Sequence, residues 1–401
     1  MPALKVSNHC PERRPVIIAA RRTPVARAGS ALADLPTERL LAPVIAAVIN
    51  DARLNPGRID DVIVGNAAGG GGNIARLALL EAGLPVEVPG MTVDRQCGAG
   101  LEAIVTAARA ISAGAGEVYL AGGVESVSRA PWRVEKPRRP GDLPQFFTRA
   151  KFAPNALGDP DMGVAAENVA RLYGVTRERQ DAFAFRSHVR AVAAADAGVF
   201  RGEIVPIEAG SGRVVETDEC PRRNTSLAAL AELRAAFVPG GTVTAGNSCP
   251  LNDGAAMVAV VSEAVARRLD HPAWTVFLGA AAGAVDPNVL GIGPVPATRR
   301  LLERLPTVRL DKVDLIEFNE AFAAQVLASL DMLGIDEMTV NRDGGAIALG
   351  HPFGASGAIL VTRLHAQMSI ADAGRPLCGL AMLGIAGGLG LTAAFEHERA
   401  S

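Results

Sequence analysis

Two short stretches of this 401-residue chain repeat one another at a distance. Thr92-Val93-Asp94-Arg95-Gln96-Cys97-Gly98-Ala99 and Thr339-Val340-Asn341-Arg342-Asp343-Gly344-Gly345-Ala346 agree at five of eight positions, and both sit where a strand should end. An echo on this spacing points to two related halves, each with a strand–turn–helix at the same place. With about half its residues apolar, the chain can bury cores for two domains or one composite unit.

The flanking segments alternate in period. Val16–Ala20, Asp61–Gly65, Met91–Arg95 and Glu117–Ala121 read as strands, and Thr37–Ile49, Asn73–Ala82 and Gly98–Ile111 as helices. This rhythm predicts α/β layers with mostly parallel strands. From about Trp132 it breaks into a proline-rich, basic stretch with Arg133, Lys136, Arg138 and Arg139. Two helices (Val164–Tyr173 and Arg177–Ala195) and a strand near Glu203–Ile207 follow, so residues 132–244 read as an insertion. The rhythm resumes near Thr242 with strand Ala255–Val261 and helix Ser262–Arg268. Strands Trp274–Ala282 and Val313–Phe318 then alternate with helices Ala297–Leu305 and Phe322–Leu333, and Gly379–Phe395 reads as two buried strands around a tight turn.

Charge narrows the function classes. Charged residues make up 20 % and the formal net charge is −2, which argues against a nucleic-acid scaffold. Six histidines and five cysteines occur without CxxC or HExxH, so no metal is expected. An odd cysteine count in a chain this long fits a reducing compartment. Residues 1–14 lack a signal-peptide core, and no stretch is suited to a transmembrane span. The expectation is a cytoplasmic globular protein.

Four constellations carry candidate chemistry. Cys97 ends a strand and precedes Gly98-Ala99-Gly100, where a helix would aim N–H groups and a positive dipole end at the sulfur and favour the thiolate. By itself it is equally well an inert core thiol. His351 stands in the glycine-rich loop Gly344–Gly357 and can take a thiol proton and return it to an oxyanion. Asn319-Glu320-Ala321-Phe322 follows an apolar strand; it either orients a histidine or water, or merely caps a helix. Gly384–Gly390 offers backbone N–H groups to an oxyanion, or forms a hairpin turn.

Together these segments resemble the thiolase family, the acetyl-CoA C-acyltransferases, over nearly all of Arg14–Glu398. Further matches are Met162-Gly163 with Ala166–Ala170, Gly241–Asn247, Asn252–Ala256 and Asn341–Gly357. The resemblance implies duplicated α/β halves in five αβαβα layers: 14–131 plus 245–270 as the N-terminal domain, 132–244 as an inserted CoA-binding loop domain, and 271–401 as the C-terminal domain. It implies coenzyme A and acyl-CoA as substrates, no permanently bound cofactor, and a homodimer or homotetramer. Cys97 would carry the acyl group as a thioester, with His351 as its activator. Asn319 would hold a water with His351, and the N–H groups of Cys97 and Ala386 would form an oxyanion hole. Arg222 would lie near the adenine, Cys249 near the pantetheine arm, and Met162 in the acyl pocket. Asp161 replaces a histidine of some short-chain members.

One departure stands out. The family's second catalytic cysteine falls on Gly384. Cys378 lies six residues upstream in the same predicted strand, about 20 Å away at extended spacing, and is assigned no role. Three functions follow in order: cleavage of a 3-oxoacyl-CoA with CoA, or the reverse Claisen condensation; acyl transfer to another acceptor or carbon nucleophile; and an acyl-CoA-binding subunit without turnover. His351, Cys249 or water would have to replace the missing base.

Overall fold

The computed structural model describes residues 13–147, 149–210, 212–371 and 374–400. Most of the N-terminal stretch read for a signal sequence, residues 1–12, lies outside the described residues. The strands are β1 (Pro15–Arg22), β2 (Ala26–Arg27), β3 (Asp61–Gly65), β4 (Gly90–Val93), β5 (Val118–Ser126), β6 (Arg133–Glu135), β7 (Gln145–Phe147), β8 (Ile207–Glu208), β9 (Val214–Val215), β10 (Asn252–Ser262), β11 (Ala273–Ala284), β12 (Leu315–Phe318), β13 (Leu377–Ile385) and β14 (Leu389–Arg399). The α-helices are α1 (Thr37–Asp51), α2 (Ile74–Glu81), α3 (Ala99–Ala113), α4 (Met162–Leu172), α5 (Arg177–Asp196), α6 (Leu227–Ala231), α7 (Glu263–Arg268), α8 (Pro294–Arg304), α9 (Ala323–Leu333), α10 (Ala346–Leu349) and α11 (Phe353–Ile370).

Ten strands share one sheet, ordered β12-β13-β14-β11-β1-β10-β5-β3-β4, with β2 pairing β10. The order is the same read outward from its centre. One half runs β1-β10-β5-β3-β4, and the other runs β11-β14-β13-β12 and then Val340, which bridges Ile316 in parallel. The duplication expected from the octapeptide echo is therefore a property of the fold. The pairing registers extend it to single residues. At the centre Val16 pairs Val276 and Ile17 pairs Thr275, which makes Val16 equivalent to Thr275. Stepping outward strand by strand, Val118 falls on Leu377, Asn66 on Asn319, and Glu125 on Gly384.

Three apolar clusters define the layers. Leu40, Leu41, Val44 and Ala78 of α1 and α2 pack on Val62, Leu120 and Met257. Leu101 and Ile104 of α3, with Ala358 and Leu364 of α11, fill the space between the two half-sheets. Leu301 of α8 and Val326 and Leu327 of α9 cover Leu380, Met382 and Ala394 on the far face. This is the αβαβα stacking expected. β13 shows why its sequence reads as one apolar run: Leu380 and Met382 face one helical layer, while Ala381 and Leu383 face the other.

The mostly parallel sheet is a wrong expectation. Among the described strand pairs only β3·β4, β3·β5 and β12·β13 are parallel, and the long central pairs are antiparallel. The last strand of each half returns beside its first, and β13 reverses into β14 through a tight turn with Gly387 and Gly388 at φ +79° and +83°. The strand expected over Glu203–Ile207 is instead Ile207–Glu208, because the N–H groups of Glu203 and Ile204 turn back to the Phe200 carbonyl and that of Val205 goes to the Arg22 carbonyl.

A buried ion network locks the inserted segment to both halves. Glu203 accepts from Arg22 Nε at 2.8 Å and from Arg363 at 2.8 and 2.9 Å; all three side chains are 1 % exposed. Arg22 also forks onto Asp218 at 2.7 and 2.9 Å, and Arg363 reaches Asp343 at 2.6 Å. Removing one member strands charge away from water. Glu203→Ala is expected to lower unfolding free energy by about 3–5 kcal/mol, read by denaturant titration.

Candidate active site

Cys97 is placed by a strained turn. β4 stops at Val93, two residues earlier than its apolar pattern suggests, because Asp94 Oδ1 accepts the Gln96 N–H at 2.7 Å and Gln96 adopts φ +49°. Cys97 then stands just before Gly98, the N-cap of α3. The small residues after it admit neighbours closely. A Cβ on Gly98 would meet Ile385 Cδ1 at 2.4 Å, and one on Gly100 would meet the Gly354 carbonyl at 2.6 Å. The end of β13 and the start of α11 are thereby pressed against the cysteine. The backbone N–H groups of Cys97 and Ala386 lie close enough to the sulfur to favour its ionised form.

The protonation expected from sequence is reversed. Burial, with the nearby Glu125 carboxylate, pushes the Cys97 thiol up to about 12, against the weaker opposing pull of the two backbone N–H groups. The side chain retains some solvent contact, so burial acts less than fully, but Glu125 works in the same direction. Cys97 rests as a thiol.

His351 lies not in an extended glycine loop but in the short link between α10 and α11. Its backbone N–H donates to Asn252 Oδ1 at 2.8 Å, and its ring Nδ1 lies 2.6 Å from Ser356 Oγ. Ser356 in turn donates to the Pro352 carbonyl at 3.0 Å. With the serine proton spent there, Nδ1 carries the imidazole proton, and Nε2, buried and unpartnered, is a free acceptor. Burial pulls the His351 pKa down to about 4, which keeps the ring neutral. Ser356→Ala frees the tautomer and is expected to lower kcat about tenfold with little change in KM, checked by steady-state kinetics on protein of unchanged Tm.

Asn319 follows β12 directly, held by its N–H on the Met382 carbonyl at 2.9 Å. Its duplicate, Asn66, is fully engaged: Nδ2 donates to the Val124 carbonyl and to Glu125 Oε1, both at 2.9 Å. Glycine at 384, the position equivalent to Glu125, removes the matching carboxylate, and Asn319 Nδ2 is left buried and unpartnered. Beside Gly384 a Cβ would lie 3.4 Å from both amide atoms of Gln325, whose Nε2 is likewise buried and unpartnered. Glu125 accepts from Asn66 Nδ2 and from the N–H groups of Ala67, Ala68 and Gly354, so it ties the two strand ends to α11.

Cys249 joins this group. Its N–H donates to the Ala321 carbonyl at 3.0 Å, and burial and the neighbouring Cys97 both push its thiol upward. Met162 opens α4 beside Gly163, against which Phe237 packs, and Phe237 meets the Phe322 ring at 5.9 Å. Arg222 stays exposed, with its N–H on His188 Nδ1 at 3.2 Å. Asp161 pairs with Arg149 at 3.0 Å. Cys378 begins β13, at the opposite end from Gly384, and is kept from the group by the length of that strand. Clefts of about 660 and 610 Å³, lined around Arg309–Asp314 and around Arg14 and Trp274, contain none of these residues.

Sequence reasoning missed Ser356, Gln325, Glu125 and Asn66. Ser356 sits five residues after the histidine, a spacing that a helix beginning at Phe353 brings back to the ring; the glycine-rich composition hid that helix. Among the described residues, no group of three or more histidine, cysteine or acidic side chains is placed to hold a metal, and no helix is long and apolar enough to cross a membrane.

Comparison with known proteins identifies the family. Residues 15–264 match the family described as thiolase, N-terminal domain, and residues 272–397 match thiolase, C-terminal domain. A relative from Staphylococcus aureus (strain MRSA252), named "Putative acetyl-CoA C-acetyltransferase VraB", is 44 % identical over 384 residues, covering 95 % of this chain and 99 % of the relative. Its namesake from Staphylococcus haemolyticus (strain JCSC1435) is 44 % identical over 386 residues, covering 96 % and 99 %. The crystal structure of the Bacillus anthracis acetyl-CoA acetyltransferase superposes with a TM-score of 0.89 at 36 % identity, over 96 % of this chain and 99 % of that one.

Proposed function

This chain belongs to the thiolase family and is an acyltransferase, and we propose that it works through a thioester on Cys97, cleaving 3-oxoacyl-CoA with CoA or running the reverse condensation. The reading is supported by a buried neutral histidine whose Nε2 is unpartnered and by a cysteine whose ionised form the Cys97 and Ala386 N–H groups favour. His351 Nε2 takes the Cys97 proton as sulfur attacks the acyl carbonyl, then delivers it to the departing CoA sulfur. The N–H groups of Cys97 and Ala386 hold the oxyanion, and Asn319 Nδ2 serves the enolate oxygen of the second substrate.

Acyl-CoA and CoA are the small-molecule partners, with no resident cofactor. Exposed Arg222 receives the adenine end, Cys249 flanks the pantetheine arm, and Met162 borders the acyl pocket. The N-terminal domain is taken as 14–131 plus 245–270, the inserted CoA-binding segment as 132–244, and the C-terminal domain as 271–401. The protein works in the cytoplasm as a homodimer or homotetramer. The edge strand β4, beside exposed Leu77, Leu80 and Met91, suits a subunit contact.

Initial-rate kinetics with acetoacetyl-CoA and CoA test this function. Parallel double-reciprocal lines are expected for a covalent two-step transfer. No turnover by folded protein that binds CoA would leave acyl transfer to another acceptor as the second function, favoured by Gly384 in place of a thiol.

A further inference from the structure

Thiolysis needs an acid at C2 of the departing acetyl-CoA unit, and Gly384 supplies none. Bonding fixes where that acid must stand. C2 is joined to the carbon that Cys97 attacks and to the thioester carbon whose oxygen Asn319 Nδ2 receives. The group that serves C2 therefore stands between Cys97 and the loop of Asn319.

The other titratable groups near Cys97 are engaged. Glu125 gives its carboxylate to four donors. Glu320 gives its own to Ser187 Oγ, Asn341 Nδ2 and the Ile347 N–H. Asp94 is exposed and accepts from the Gln96 N–H and Nε2. His351 Nδ1 is spent on Ser356, and Nε2 holds the Cys97 proton when C2 must be served. Buried Cys220 accepts from Asn252 Nδ2 at 3.2 Å.

The segment carrying Cys249 threads between the two catalytic loops. On one side the Cys249 N–H donates to the Ala321 carbonyl at 3.0 Å, the Ala323 N–H donates to the Asn247 carbonyl at 2.9 Å, and Ser248 bridges Phe322. On the other, Leu251 bridges His351, and Asn252 Oδ1 accepts the His351 N–H at 2.8 Å. Cys249 is thus paired to the loop of Asn319 and lies two residues from the partner of His351. Burial, then neighbouring Cys97 and Glu320, keep its proton on sulfur, the form an acid requires. Cys97 and Cys249 both retain some solvent contact.

We propose that Cys249 is the second catalytic thiol of this chain, the acid at C2 in cleavage and the base there in condensation; this rests on the Cys97 thioester proposed above. As the Cys97 sulfur bonds to the 3-oxo carbon, its proton passes to His351 Nε2. The C2–C3 bond breaks, and its electron pair becomes the enolate. The Cys249 proton goes to C2, and acetyl-CoA leaves. The incoming CoA thiol gives its proton to the Cys249 thiolate, and its sulfur bonds to the thioester carbon. The bond from that carbon to Cys97 breaks, and Cys97 recovers its proton from His351. In sum, 3-oxoacyl-CoA and CoA give acetyl-CoA and a shortened acyl-CoA, with no oxidant or reductant.

The test incubates the full chain with acetyl-CoA in D₂O, following deuterium at C2 of acetyl-CoA and the acetyl group on the Cys97 peptide by mass. Wild type is expected to show both. The ratio of C2 exchange to Cys97 acetylation should fall about 10²-fold or more in Cys249→Ala and in Cys249→Ser, with acetoacetyl-CoA thiolysis falling alongside exchange. Serine fills the position and keeps a hydrogen-bonding group but does not titrate as a thiol does, so it separates acid–base work from packing. A ratio unchanged in Cys249→Ser, or exchange and acetylation lost together in both variants, overturns the inference. Wild type that acetylates Cys97 without exchanging C2 hydrogen also overturns it and leaves acyl transfer standing. An unacylated Cys97 in wild type overturns the thioester itself.

Discussion

Replacing Cys97 with alanine is expected to reduce acyl transfer by at least about 10⁴-fold, to the level left by binding and the oxyanion donors. Among the described residues, neither Cys378 nor Cys249 is expected to substitute. Cys378 is a full strand length away at the far end of β13, and Cys249 is held with its proton raised by burial and by Cys97 itself. The substitution keeps Cβ and removes only sulfur from a side chain with some solvent contact, so stability should change little. Acetoacetyl-CoA thiolysis measured on wild type and variant of equal Tm checks it. A loss below about tenfold would place the acyl group elsewhere.

The second large effect belongs to His351. His351→Ala is expected to lower kcat/KM by about 10²–10⁴-fold, the range of a positioned proton-transfer group. The wild-type pH profile carries the more telling signature. A base works unprotonated, so activity is lost as pH falls through its pKa. Burial holds His351 at about 4, and kcat/KM should therefore stay flat from neutral pH down through pH 6 and decline only toward pH 4. An exposed imidazole would already decline near pH 6.5. At the other end the Cys97 thiol, pushed up to about 12, should react slowly with iodoacetamide at neutral pH, because the resting pair is thiol and imidazole rather than thiolate and imidazolium. The proton then moves as the acyl carbonyl is attacked. A decline centred near pH 6.5, or fast alkylation at neutral pH, would contradict the buried neutral pair.

Much of this was legible in the sequence because it lies in local pattern. The eight-residue echo announced the duplication, and the apolar strands of β1, β3 and β12 stood out as continuous runs. Cys97 and His351 were visible as single residues in glycine-rich surroundings. What stayed hidden depends on contacts between distant segments. The helix favouring a thiolate was in the sequence, while the burial that overrides it, with Glu125 adding to it, arises only when the sheet assembles around Cys97. The glycines of 344–357 concealed α11, since Gly354 and Gly357 are there for close packing: a Cβ on either would strike Asn66 or Leu101 at 2.7 and 2.5 Å. The antiparallel centre of the sheet follows from where β10 and β14 return, which strand propensity does not encode. The equivalence of Glu125 with Gly384 emerges only from pairing registers. It explains in physical terms why one asparagine of a duplicated pair is locked and the other is free.

The central claim is that Cys97 carries the acyl group. Brief exposure of the wild-type chain to acetyl-CoA, acid quench and peptide mass analysis tests it without relying on turnover. An acetyl group on the peptide containing Cys97, lost again on adding CoA, is the predicted result. An acetyl group confined to Cys249 or Cys378, or a Cys97 peptide that remains unmodified in protein shown to bind acetyl-CoA, would contradict it.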